Sequence, residues 1–136
     1  MLHLRIITPK KIVLEQDVER VTAPGADGEF TVLPKHTKLF SLLTEGIVTI
    51  HTKQGEDFLA IGSGYLETDG SELTVLVSRA YGQDEIDEKI TADAIKSAEG
   101  LIERAKDTVE REQATMLLRR SIIDQKLLQK RRAYRR

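Results

Sequence analysis

The sequence predicts an α+β protein in two parts: an antiparallel β-sandwich over residues 1–84, then an antiparallel two-helix hairpin over residues 85–136. Apolar residues recur with a period of two up to Val77, and at steps of three and four beyond Gln83. Seven of the nine glycines and all three prolines fall before residue 78. Charge divides at the same place. Residues 1–84 hold 8 Lys/Arg against 12 Asp/Glu, or −4, while residues 85–136 hold 13 against 10, or +3.

In the first part, LHLRIIT places Leu2, Leu4 and Ile6 on one side of a strand. Short apolar runs follow at Ile12–Leu14, Val18–Thr22, Phe30–Leu33, Ile47–His51, Phe58–Ile61, Tyr65–Thr68 and Leu73–Val77. Thr8-Pro9, Pro24-Gly25, Asp27-Gly28, Gln54-Gly55 and Asp69-Gly70 punctuate them as turns. About eight strands with no helical pattern between them pack as a sandwich or barrel. Within DGEFTVLPKHTKL, residues 27–39, Pro34 stops the strand. Glu29 precedes the apolar run and Lys35, His36 and Lys38 follow it, so an acid and an imidazole flank a conformationally fixed turn. GSGY, residues 62–65, has no Lys-Ser/Thr after it and opens a strand. It reads as a bulge or tight bend, not a phosphate loop.

In the second part, Ile90, Ala94, Ala98, Leu101, Ala105 and Val109 form an amphipathic stripe, with Gly100 inside it. KDTVE supplies a break, since Asp107 is a helix-capping residue with Glu110 three positions on. Two helices, 88–105 and 109–132, are therefore predicted, with a single long helix as the alternative. On the second helix Ala114, Leu117, Leu118, Ile122 and Leu128 share a broad face. Met116, Ile123 and Leu127 lie on nearly the opposite side. That second apolar face suits either contact with two neighbours at once or a partner met in another conformation.

Composition narrows the function. Hydrophobic residues make up 40 % but aromatics only 4 %, with no Trp, so the core must be aliphatic. The absence of cysteine excludes a disulfide framework, a thiolate metal site and a thiol nucleophile. MLHLRIITP is too short and too alternating for a signal peptide, and no run nears the ~20 apolar residues of a membrane span. A soluble chain without direct membrane insertion is expected. His3, His36 and His51 lack metal-ligand spacing, no nucleophile–base–acid set can be assigned, and no enzyme activity, metal or cofactor is expected. Residues 119–136 carry eight basic residues against Asp124, a local +7, and Arg119, Arg120, Lys126, Lys130, Arg131 and Arg132 are interleaved with apolar positions. A solvated helix end and a nucleic-acid contact are both compatible with the charge, although Tyr134 is the sole stacking aromatic there. The interleaving favours an acidic protein surface. On residues alone, a stand-alone protein-binding sandwich with a basic nucleic-acid-binding tail is the alternative reading.

PGADGEFTVLPKHTKL, GIVTI, AIGSGYLETDGSELTVL, EID and LLRRS, in that order, resemble the ε subunit of bacterial and chloroplast F-type rotary ATP synthases over essentially all 136 residues. The first stretch is similar to that family's G-x-x-G-x-x-x-[VI]-x-P-x-H-x-x-L pattern. The resemblance implies a non-catalytic central-stalk subunit whose sandwich seats on the γ shaft and the c-ring, with Glu29 and His36 in that contact. It implies a mobile hairpin that extends to meet the catalytic α/β subunits and restrain ATP hydrolysis, with Arg119, Arg120, Lys126, Lys130, Arg131 and Arg132 facing an acidic segment of β. The location implied is peripheral, on the cytoplasmic face of the bacterial inner membrane or the stromal face of the thylakoid. Thr37-Lys38 replaces the family's usual Ala/Thr-Pro pair, and Ser63 stands where many members have a second glycine. Some members bind ATP through Ile-Asp-x-x-Arg-Ala. Here Ile86-Asp87 matches, but Ile90 and Thr91 occupy the Arg and Ala positions, so useful ATP binding is not expected.

Overall fold

A computed structural model of the chain describes residues 1–35 and 38–130. They form two compact units, Met1–Gly82 and Gln83–Lys130.

The first unit is built from β1 (Leu2–Ile7), β2 (Ile12–Val18), β3 (Arg20–Gly25), β4 (Gly28–Val32), β5 (Leu39–Leu43), β6 (Gly46–Thr52), β7 (Gly55–Ile61), β8 (Gly64–Thr68), β9 (Glu72–Val77) and β10 (Ala80–Tyr81). They pair in the order β10-β7-β6-β3-β5-β8-β9-β1-β2, with β4 hairpinned onto β3. All pairs are antiparallel except β1 with β9, which run side by side in one direction. The period of two sets the core. Leu2, Leu4 and Ile6 are fully buried while His3, Arg5 and Ile7 between them are only partly covered. Val48 and Ile50 of β6, Leu59 and Ile61 of β7, and Leu73 and Val75 of β9 complete the same aliphatic cluster.

Ten strands replace the eight expected. β5 and β10 were not signalled, and the Val18–Thr22 run is divided. Val18 ends β2 opposite Leu2, whereas Arg20 opens β3 opposite His51, so the chain changes partner at Glu19. A change of partner leaves no mark in an apolar pattern. The GSGY bend joins β7 to β8, strands that are not neighbours in the sheet. A side chain at Gly64 would meet the Leu76 carbonyl oxygen at 1.9 Å, so the close approach of β8 and β9 requires glycine.

The second unit opens with a 3-10 turn, Gln83–Glu85, followed by α1 (Glu88–Arg104) and α2 (Thr108–Gln129). Asp87 caps α1, accepting from Ile90 N at 2.8 Å, and Asp107 caps α2, accepting from Glu110 N at 2.8 Å. Glu110 reaches back to accept from Lys106 N at 3.0 Å. Two caps around Ala105–Asp107 exclude a single long helix. The second helix ends earlier than expected. Gln129 is its last residue and Lys130 is already extended, at φ −74 and ψ 138; Arg131 and Arg132 lie outside the described residues.

The buried stripe also differs from the one expected. Ile90 is 68 % exposed, and Leu101 and Val109 are exposed too, whereas Thr91 and Ala98 are buried. On α2, Ala114, Ser121 and Leu127 are buried, and Leu118, Ile122 and Leu128 are partly covered. These positions mirror one another about Lys106: Ala98 with Ala114, Thr91 with Ser121. Ala98 and Ala114 belong to the expected stripes; Thr91 and Ser121 do not, because an apolar period does not mark polar residues.

Candidate functional site

The Pro34 turn is braced by the turn across from it. In the β8–β9 connection, the Asp69 carboxylate accepts from Ser71 N and Glu72 N, both at 2.9 Å. These bonds hold its pKa below the usual carboxylate range. The Thr68 hydroxyl donates to Glu72 O at 2.8 Å and accepts from Gly70 N at 3.1 Å. Gly70 takes φ +98, which only glycine adopts without strain. Against this stiffened turn the Lys35 amide donates to Gly70 O at 2.8 Å. Lys35 itself sits at φ 65, a left-handed conformation uncommon for a residue with a side chain. Pro34 and the Lys35–Gly70 bond together fix the backbone at residues 34–35. Glu29 lies on β4 opposite Pro24 and is exposed, with its carboxylate available to a partner; His36 falls outside the described residues.

Beside this turn the outer face of the sheet is apolar. Phe40 is 61 % and Leu42 60 % exposed, and the Phe40 and Tyr65 rings pack at 5.0 Å between centroids with a 30° tilt. A shallow cleft bordered by Lys38, Phe40, Glu67, Asp69 and Thr74 runs from this patch to the braced turn. Sequence reasoning missed this surface because LFSLL reads as one apolar run. The signal lay in Ser41, the small polar residue between Phe40 and Leu42. It marks the alternation, but the larger side chains turn outward.

The basic residues of α2 are spread, not gathered. Arg119, Arg120 and Lys126 are exposed on the helix and Lys130 is exposed at its end, while Arg131 and Arg132 lie outside the described residues. Met116 is 65 % exposed and Ile123 partly covered, but Leu127 is fully buried, so the second apolar face is open only over its N-terminal part. At the start of α1 the Asp87 carboxylate is occupied by its capping bond, and the Thr91 hydroxyl is buried, donating to Asp87 O at 2.8 Å. Among the described residues no cluster of His, Asp and Glu is arranged to hold a metal ion, and no helix is long and apolar enough to cross a membrane.

A braced turn, an outward apolar patch and a helical hairpin define a small protein of the sandwich-plus-hairpin class. The family described as ATP synthase, Delta/Epsilon chain, beta-sandwich domain matches residues 1–83. The ATP synthase epsilon chain of Sulfurovum sp. (strain NBC37-1) is 38 % identical over 109 residues, covering 79 % of this chain and 84 % of the relative. That of Desulforamulus reducens is 33 % identical over 122 residues, covering 88 % and 91 %. The fold recurs in a chain of the Euglena gracilis mitochondrial ATP synthase, solved as OSCP/F1/c-ring, with TM-score 0.78, 23 % identity and coverage of 86 % and 74 %. It recurs again in the central stalk/c-ring of the Tetrahymena thermophila enzyme, with TM-score 0.62, 15 % identity and coverage of 93 % and 96 %. The chain belongs to the family of F-type ATP synthase epsilon subunits and, like its relatives, is a non-catalytic subunit of that complex.

Proposed function

We propose that this chain is a rotor subunit that links the γ shaft to the c-ring, couples proton translocation to ATP synthesis and restrains ATP hydrolysis through its C-terminal helices. One observation carries the rotor assignment: exposed Phe40 and Leu42, with half-buried Tyr65 beside them, next to a backbone held at Pro34–Lys35. Large apolar side chains on the outside of a sheet are costly unless a partner covers them, and a pre-ordered turn binds with little further loss of entropy. Under this reading the patch seats on γ, and the Pro34 turn, with Glu29 and His36, meets the c-ring. The assemblies that contain chains of the same fold, described as F1/c-ring and central stalk/c-ring, support it. The chain then works as a peripheral protein on the cytoplasmic face of a bacterial inner membrane, or on the stromal face of a thylakoid.

The regulatory half rests on the hairpin. α2 exposes Met116, Arg119, Arg120 and Lys126 in the closed arrangement. Extended along γ, these residues with Lys130, Arg131 and Arg132 complement an acidic surface of the catalytic subunits. Reconstitution tests both halves. The chain is expected to co-purify with γ at equal stoichiometry, and deletion of residues 107–136 is expected to raise ATPase activity of the complex. Unchanged hydrolysis after that deletion would remove the inhibitory role.

A further inference from the structure

We propose that Gln83 is a latch whose side-chain amide clasps the end of α2 to the root of α1 and holds the helical hairpin closed. The inference rests on the mobile hairpin proposed above and names the contact that must break when it opens. The two hydrogens of the Gln83 amide are donated to the carbonyl oxygens of Leu127 and Lys130, 44 and 47 residues away. The Leu127 carbonyl also accepts from Lys130 N at 3.1 Å in the C-cap of α2, and the Lys130 carbonyl lies just past the helix end, so the amide binds where the helix's own hydrogen-bond ladder runs out. Gln83 is held in place by its own carbonyl, which accepts from Ile86 N at 3.1 Å and closes the 3-10 turn leading into α1.

The position of the clasp fits the hairpin's geometry. The buried Ala98 and Ala114 are equally far from Lys106 in sequence, as are the buried Thr91 and Ser121, and Gln83 reaches α2 near the open end of the hairpin, at Leu127 and Lys130. Apart from Leu127, the buried side chains of the hairpin are small: Thr91, Ala98, Ala114 and Ser121 bury little apolar surface. A helix pair with so lean an interface depends on its ends. Each hydrogen bond shifts a closed–open equilibrium by about two- to tenfold, so losing both donors moves it by roughly tenfold or more.

Because the chain has no cysteine, Ala92→Cys with Gln125→Cys places one spin label on each helix of the full-length protein, at exposed positions bordering the same groove. Pulsed EPR then reads the separation directly. Gln83→Glu keeps the shape but removes both donors and sets a negative charge against the negative helix end; Gln83→Leu removes the donors without charge. Both are expected to raise the population at long distance by about tenfold, whereas Gln83→Lys, which still donates, is expected to resemble the parent. Hydrogen exchange in the last turn of α2 should quicken in step. The latch is refuted if both donor-free variants, folded by circular dichroism, keep the parent's distance distribution. Opening in Gln83→Glu without a change in the ATPase rate of the complex would keep the latch and remove the inhibitory reading. A response to removing residues 107–136 with no opening in Gln83→Glu would do the reverse.

Discussion

Single side chains at the outer strands carry the pH dependence. His3 on β1 faces Asp17 directly and Glu15 diagonally on β2, with Nδ1 at 2.9 Å and Nε2 at 2.7 Å from their carboxylates. Both ring nitrogens can donate at once only as imidazolium, and these two bonds raise its pKa above the ordinary 6.5. The stabilisation is fully present below the unfolded value and is lost as pH rises through the raised folded one. Denaturation of wild type and His3→Gln is therefore expected to differ at about pH 5 and to converge at about pH 9. NMR titration should place the His3 midpoint above 6.5 and bring it down in Asp17→Asn. His51 works the other way: burial first, and Arg20 beside it, lower its pKa. Its penalty begins as pH falls below 6.5 and is complete under the lowered folded value. A residue-level test of the rotor surface is Leu42→Ser. Stability should change by no more than about 0.5 kcal/mol, because the side chain is exposed, while affinity for γ measured by calorimetry should fall several-fold. Which histidine would be raised and which lowered was not legible in the sequence. Both look alike in strand patterns; register sets Asp17 and Glu15 on the two nitrogens of His3, while at His51 burial and Arg20 outweigh Glu56 opposite it.

At the scale of elements, local chemistry was read well wherever it acts over a few residues. Asp107 and Glu110 close a cap as their spacing predicts, and Asp107→Ala is expected to destabilise α2 by about 1 kcal/mol, measurable as loss of helical circular dichroism and faster exchange in its first turn. The start of α1 carries a second expectation. Ile90 in place of a guanidinium, a Thr91 hydroxyl bonded to Asp87 O, and an Asp87 carboxylate engaged in capping leave little for a nucleotide to bind. Isothermal calorimetry of the full chain with ATP should show no tight, stoichiometric binding. Strand β5 shows where element-level reading fails. Its apolar residues divide between the core, which takes Leu43, and the outer face, which takes Phe40 and Leu42. Hydrophobicity marks a residue as needing cover but does not say whether its own chain or another protein provides it. The helix stripes held in part. Ala98 and Ala114 are buried as expected, but Ile90, Leu101 and Val109 are exposed, and the polar Thr91 and Ser121, which an apolar period does not mark, are buried.

For the whole molecule, the two units differ in what holds them together. The sandwich encloses a continuous aliphatic core, and truncating Leu59, fully buried within it, should cost about 2–5 kcal/mol in chemical denaturation. The hairpin buries mostly small side chains, and its two helix caps are exposed, so it is the unit with less to lose on rearrangement. That contrast matches the division of labour proposed here, a fixed seat and a movable brake. By itself the sequence determined the class of fold, the change from strands to helices near Gln83, the helix caps and the family, because these depend on periodicity, turn chemistry and motif order over short spans. Tertiary structure alone decided the order of the strands, the outward Phe40–Leu42–Tyr65 surface, the His3 ion pairs and the Gln83 clasp. Each of those joins residues distant in sequence, and contact between them depends on register and packing that no local pattern encodes.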